Sequence, residues 1–319
     1  MRVGIMIEGQ EGLTWARWRR LAETVEELGF ESLWRSDHLF SLFNVPTRPG
    51  LDAWTSLAAL ATMTHRIRFG PLVCPITFHQ PSILARQAAA VDELSGGRLE
   101  LGVGAGWNDR EHQAFGIPYP RVGERIRRLD EAVQVIRALW ADGPADFAGR
   151  YYRLEGAVGW PKPVQRPGIP VIIGGKGPKL LELVAKHADE WNCGGSRPLA
   201  DVRAKTETLV AACQRIGRDP RTIRRSWMGG FLIGESAADL ERRARKIQEY
   251  VPPRAAIPAS KLPDVLRQEG WLVGKPVEVV EQIQALAVEG IERLMLQFYD
   301  QVDLDALRLV AQEVVPRIA

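Results

Sequence analysis

Short apolar runs alternate along the chain with segments whose apolar residues recur every three or four positions. The runs are Val3–Ile7, Ser32–Arg35, Ile67–Leu72, Leu99–Val103, Pro170–Ile173, Glu190–Cys193, a stretch within Ile223–Ile233, and Arg293–Phe298. Each has the length and flanks of a buried strand. Between the first two, Trp15, Trp18, Leu21, Ala22, Val25 and Leu28 form one helix face, and Gly29 follows as a stop. Trp54, Leu57, Ala58 and Ala61 mark a second helix. Val122, Ile126, Leu129, Val133, Ile136 and Trp140 mark a long one. Further helices are predicted over 82–94, 178–187, 199–216, 236–249, 276–288 and 304–315. Eight strands alternating with helices, with no shift of composition along the chain, predict a (β/α)8 TIM barrel rather than a doubly wound open sheet. One domain over residues 1–319 is expected. Two stretches break the rhythm. Residues 141–169 are rich in Gly, Pro and aromatic residues and read as an excursion, a hairpin over a barrel end. Residues 250–275 are proline-rich and read as an irregular second insertion.

The totals narrow the partners. In 319 residues the formal net charge is only +3, with basic and acidic side chains interspersed. This gives no reason to expect nucleic acid or a membrane as partner and leaves a small-molecule substrate. No apolar run approaches the roughly 18 residues of a membrane span, and the N-terminus reads as a strand rather than a signal peptide. The cysteines are Cys74, Cys193 and Cys213, too few and odd in number for a disulfide framework. A reducing, cytoplasmic location is therefore expected.

Candidate chemistry gathers where a barrel presents its strand carboxyl ends. Those ends are Glu8, Asp37-His38, Pro71-Leu72-Val73-Cys74, Gly104-Ala105-Gly106, Gly174-Gly175-Lys176-Gly177, Gly194-Gly195-Ser196 and Gln297. The stretch 97–111 organises this face: a bare strand, a Gly-Ala-Gly break over which a flat ligand can lie, then the polar cluster Asn108-Asp109-Arg110-Glu111. A ligand-free glycine bulge is the competing reading. A dinucleotide turn fits poorly, because Trp107 stands where close packing needs a small residue. His38 is the catalytic candidate, since imidazole titrates near neutrality. A strand-end histidine capping the backbone is the alternative. Neighbours on an extended strand point to opposite faces, so Asp37 is not expected to orient His38. His79 lies within reach of the site. His65 reads as a solvated loop residue, His112 as part of a polar turn, and His187 as a helix-end cation. No set of residues has zinc spacing, so no metal is expected. Gly174-Gly175-Lys176-Gly177-Pro178 reads as an anion cradle at a helix N-terminus, or else as a flexible loop. It lacks the ending of a Walker loop.

Several strings together resemble the luciferase-like superfamily of flavin and deazaflavin oxidoreductases. They are Glu27-Leu28-Gly29-Phe30-Glu31-Ser32-Leu33-Trp34 leading to Ser36-Asp37-His38, Gly97 through Trp107, Phe147-Ala148-Gly149-Arg150-Tyr151-Tyr152, Pro161 through Pro167, and Gly174-Gly175-Lys176-Gly177 with Ala188-Asp189-Glu190-Trp191-Asn192. The resemblance spans most of residues 1–195 and is loose beyond. It implies a barrel that binds FMN or coenzyme F420 at the strand carboxyl ends, and a homodimer. It implies a non-prolyl peptide, often cis, as a backstop for the ring near Pro71-Leu72, with Val73 and Cys74 adjoining. It makes Asp37 a cofactor-contacting acid, His38 the active-site histidine, Ala105 and Gly106 the cofactor floor, and Arg110 a contact to its tail. Lys176, Gly177, Lys179 and Leu180 become the phosphate site, and Gly175, Gly194 and Gly195 join the cofactor wall as strand ends. Trp107 departs from the sugar-phosphate dehydrogenase branch, which carries a catalytic glutamate there. The resulting expectation is an F420-dependent oxidoreductase. The alternatives are an FMN-dependent monooxygenase fed by a separate reductase, and a non-redox phosphate-binding barrel. The last should show a Schiff-base lysine or metal carboxylates at its strand ends, where this chain offers glycine.

Overall fold

The computed structural model describes residues 1–318. The apolar runs form parallel strands: β1 (Arg2–Ile7), β2 (Ser32–Arg35), β3 (Arg68–Pro71), β4 (Cys74–Pro75), β5 (Leu101–Gly104), then after the hairpin β6 (Ala145–Ala148) and β7 (Arg153–Ala157), β8 (Val171–Gly174), β9 (Glu190–Cys193), β10 (Arg224–Ile233), β11 (Leu272–Gly274) and β12 (Arg293–Gln297). The path of pairing is β3-β2-β1-β12-β10-β9-β8-β5-β4, with β11 added beside β10. Its two ends, β3 and β4, are halves of one interrupted stave. The first half lies against β2 and the second against β5, while Phe69 bridges Leu99. The sheet thus closes on itself as a TIM barrel. The interruption falls at Leu72-Val73, whose peptide is cis, one residue beyond Pro71-Leu72.

Amphipathic helices cover the staves as the spacing predicts. In the helix Trp15–Glu27, the N-cap Thr14 accepts from the Arg17 N–H, and Trp18, Leu21, Ala22 and Val25 are buried. Trp15, expected on the same face, is 45% exposed at the first helical position. The helix Val122–Trp140 buries Leu129, Val133, Ile136 and Trp140.

Both insertions have definite places. Residues 141–169 hold the antiparallel β6-β7 hairpin. They then pass under the amino-terminal end of the barrel, where the Gln165 side chain donates to Leu99 O and to Asp92 Oδ1, each at 2.7 Å. Residues 250–275 are more regular than expected. Their helix Leu262–Gln268 and strand β11 bury Leu262, Leu266, Trp271 and Val273 with Leu232 and Ile247 in a second apolar core. Proline content hid this regularity, because one of those prolines starts the helix rather than breaking it.

The amino-terminal floor is ionic. Arg293 is fully buried on β12 and reaches three carboxylates: Glu100 at 2.5 Å, Glu31 at 2.6 Å and Glu190 at 2.9 Å. Arg68 closes on Glu100 from β3, and Arg224 on Glu190 from β10. Burial pushes the Glu100 carboxyl up, but the charges of Arg293 and Arg68 outweigh it and bring the group down to about 2. Glu190 stays above the usual carboxylate range, through burial first and with Glu100 nearby, despite Arg293. Removing one partner of such a buried set strands the others and costs about 3–5 kcal/mol. Arg293→Ala is expected to lose that much stability in a denaturant titration. A loss under 1 kcal/mol would show the floor to be water-filled and screened.

Candidate active site

The strand carboxyl ends surround a cavity of about 570 Å³ whose wall includes Glu8, His38, Gly106, Lys176, Gly195 and Gln297. Leu72 and Val73 form a shelf within it, where the stave is interrupted. Most glycines around the shelf are bare because a neighbour already stands where their Cβ would go, Gly106 against Thr77 and Gly175 against Leu180 among them. A Cβ on Gly104 would stand 2.7 Å from Val73 Cγ2, and one on Gly174 would stand 3.1 Å from Val73 Cγ1. A Cβ on Gly102 would collide with Pro71 O. These positions are bare so that the interrupted stave can pack against its neighbours, and Gly102 and Gly104 leave no open floor for a ligand. That corrects the reading of the Gly104-Ala105-Gly106 break as a surface for a flat ligand at Gly104, whose open side Val73 fills. Gly106, at φ +76°, is the member that borders the cavity. Across from it, Gly175, Gly194 and Gly195 line the wall.

Alternation along the extended chain separates Asp37 from His38. Asp37 turns outward, and His79 Nε2 lies 2.6 Å from its carboxylate. Burial pushes Asp37 up, but the hydrogen bond and charge of His79, with a hydrogen bond from Cys74, bring it below its ordinary value. Burial also pushes the Cys74 thiol well up, so it stays neutral and donates to Asp37. The ligating atoms of Asp37, Cys74 and His79 lie within 4.8 Å of one another. These mutual hydrogen bonds account for the cluster without a metal.

His38 faces the cavity. Its Nδ1 lies 2.8 Å from Glu111 Oε2, and the other Glu111 oxygen accepts from Leu39 N at 2.6 Å. Nε2 has no partner among the described residues. Burial pushes the imidazole's pKa down, but the hydrogen bond and charge of Glu111 prevail, with Glu8 and Asp37 adding to them, and the group titrates above its ordinary value. The Trp107 ring meets His38 edge-on, with centroids 5.7 Å apart. The loop beyond His38 supplies Leu42 and Phe43 to the wall. It is held by buried Glu11, which accepts from Ser41, Leu42 N and Arg48. Arg48 in turn donates to Tyr250 O at 2.7 Å, tying the loop to the second insertion.

At the far wall, Gly177 caps the helix Pro178–His187, and no side chain occupies the cap. Lys176 beside it is exposed. Free N–H groups and a lysine at a helix N-terminus favour an anion.

The other predicted positions are spread around this frame. His38, Leu72, Val73, Gly106, Gly175, Lys176, Gly194 and Gly195 border the cavity. Pro71 and Cys74 are buried behind the shelf. Ala105 precedes Gly106, half-buried. Gly177 and Lys179 lie exposed beside the cavity, and Leu180 is buried against Gly175. Arg110 stands outside the wall, bonded to Asn44, with its guanidinium 5.0 Å from the Phe40 ring centre. His112 is not in a polar turn. It is buried in the helix Asp109–Ala114, between Asn108 O and Thr77 Oγ1. Glu111 entered the sequence reading only as a member of a polar cluster and Asn192 only within a longer string, while Arg197 and Tyr299 escaped it. Arg197 donates to Gly194 O at 2.6 Å and Gly195 O at 3.1 Å, bracing that glycine wall. Its place just after the sixth strand's glycines was the available signal.

The chain belongs to the luciferase-like monooxygenase family, whose profile matches residues 1–293. An uncharacterized protein of Mycobacterium tuberculosis is 40% identical over 142 residues, which is 44% of this chain and 49% of that protein, so the chain matches about half of that relative's length. An F420-dependent hydroxymycolic acid dehydrogenase of the same organism is 29% identical over 277 residues, 84% of this chain and 75% of that one. Among solved structures, an F420-dependent secondary alcohol dehydrogenase in complex with an F420-acetone adduct shares the fold with TM-score 0.84, at 21% identity over 100% of this chain and 99% of that one. A monooxygenase of Streptomyces bottropensis also gives TM-score 0.84, at 26% identity over 100% of both chains.

The packing of Val73 into the two glycines can be tested directly. Val73 has a stiff branched side chain, so Gly104→Ala is expected to destabilise the fold by about 1–3 kcal/mol. Val73→Ala made in the same chain should recover a good part of that loss. A double variant no more stable than Gly104→Ala alone would show that Val73 is not the obstacle.

Proposed function

We propose that this protein is an oxidoreductase that transfers hydride between coenzyme F420 and a small organic substrate, with His38 exchanging the proton at the reacting oxygen. The observation that carries this is the shelf of Leu72 and Val73, with His38 at one side and the Lys176 helix N-terminus at the other. A flat ring bearing an anionic tail fits that arrangement: apolar support, glycines permitting close approach, and unpaired cationic and N–H groups for a phosphate. When bound, the deazaflavin supplies or accepts the hydride. Leu72 and Val73 hold its ring from below, and Gly106, Gly175, Gly194 and Gly195 admit it. Lys176, with the backbone at Gly177, Lys179 and Leu180, takes the phosphate. Asp37 and Cys74 brace the shelf from behind, Pro71 and Ala105 flank it, and Arg110, which stands outside the cavity on Asn44, would have to leave that partner to meet an anionic tail. F420 is preferred because the dehydrogenase matched over 84% of this chain is named for it. An FMN-dependent monooxygenase is the second reading, and the likeness to the Streptomyces monooxygenase favours its monooxygenase activity. Glycine-rich strand ends speak against a non-redox phosphate-binding barrel.

Titration of the purified protein with F420 should quench the coenzyme's fluorescence. Tight FMN binding without F420 binding would select the second reading, and turnover of a phosphorylated substrate without either would select the third. Lys176→Ala should weaken F420 binding by about 1–3 kcal/mol, the size of a hydrogen bond to a charged group, and recover turnover at saturating coenzyme.

His38→Ala should keep the coenzyme affinity and lose turnover by roughly 100- to 10,000-fold. Weak binding with normal turnover at saturation would instead make His38 a binding residue.

A further inference from the structure

We propose that Glu111 is the positioning residue of His38: it fixes the proton on Nδ1, so that Nε2 is the nitrogen that exchanges a proton with the substrate oxygen. This rests on the reading of His38 given above. The geometry carries it. The Glu111 carboxylate is fully buried, and both its oxygens are engaged, one at 2.8 Å from His38 Nδ1 and one at 2.6 Å from Leu39 N. A carboxylate only accepts, so Nδ1 must be the donor in both the neutral and the charged imidazole. The ring is thereby oriented, and its other nitrogen is left free for the cavity.

The backbone bond gives Glu111 a second function. It comes from the short helix Asp109–Ala114, after the fourth stave, and fastens the start of the loop that follows the second. That loop carries Leu42 and Phe43 into the cavity wall. One side chain therefore sets the tautomer of the imidazole and the position of the wall beside it.

The proton inventory closes in both directions. When a carbonyl is reduced, its carbon takes hydride from reduced coenzyme, the π pair moves onto oxygen, and that oxygen takes the Nε2 proton. His38 is left neutral, with Nδ1–H still on Glu111. When an alcohol is oxidised, the neutral Nε2 takes the hydroxyl proton as hydride leaves carbon for the oxidised coenzyme. The charged groups that hold the His38 pKa up are Glu111, Glu8 at the end of β1 and its chain neighbour Asp37. Glu111 alone among them is hydrogen-bonded to the ring, and the cations Lys176 and Arg197 line the same cavity.

The test needs no coenzyme at first. In the coenzyme-free protein with 15N-labelled histidine, NMR should show neutral His38 as the Nδ1–H tautomer. An Nε2–H tautomer would overturn the proposal, whether or not any variant folds. Glu111→Gln keeps the shape and an acceptor but removes the charge. It should move the His38 titration, and the limb of the pH–rate profile assigned to it, to lower pH. Turnover should fall about 100-fold, near the low end of what general acid–base catalysis contributes, while F420 affinity changes less than twofold. Glu111→Asp should recover part of the titration shift. A His38 titration unchanged in folded Glu111→Gln would overturn the proposal, and so would lost activity with an unmoved pH profile. If F420 fails to bind the wild-type protein, the functional reading falls while the NMR result on the pair still stands.

Discussion

The barrel depends on one arginine at its floor. Arg293 reaches Glu100 on the way into β5, Glu190 on β9 and Glu31 ahead of β2, and Arg68 and Arg224 extend the set to β3 and β10. Burial alone makes every one of these charges unfavourable. Their mutual attraction offsets that only when all the strands are in register, so the arrangement penalises a slipped barrel more than it strengthens a correct one. The apolar interior above it is less selective, since many registers bury Ile, Val and Leu equally well.

With the floor fixed, the mouth can hold structure that a packed core would not tolerate. One stave is interrupted and changes partners midway, leaving Leu72 and Val73 as a shelf. Strand alternation sends Asp37 outward to His79 and Cys74 and His38 inward to Glu111, so two adjacent residues serve two separate hydrogen-bonded pairs. The outer pair braces the shelf. The inner pair faces the cavity, opposite an exposed lysine at a helix N-terminus.

Most of this architecture could be read from periodicity. Short apolar strands and helices of three-four spacing produce strong, local patterns, and all eight staves lie where those patterns put them. Strand β11 was hidden, because its three residues are too few to show a period and prolines surround it. At the site, His38 and the Lys176 loop were legible from residue type and strand-end position. Glu111 was visible only as one of a polar cluster; its pairing with His38 was not, since that bond joins positions 73 residues apart and only the closed barrel brings them together. The glycines were half legible. Their bareness was visible, but whether Gly104 makes room for a ligand or for Val73 depends on which neighbour arrives first.

That last point bears on how such a chain can change over time. Val73, Gly104 and Gly174 border one shared volume, so a methyl gained at Gly104, and to a lesser degree at Gly174, crowds Val73. A lineage that gains a side chain at either glycine carries a cost that a smaller residue at position 73 relieves. Homologues with a larger residue than glycine at position 104 or 174 should carry a smaller one at 73, which makes this trio a marker for sorting the family by how the interrupted stave packs.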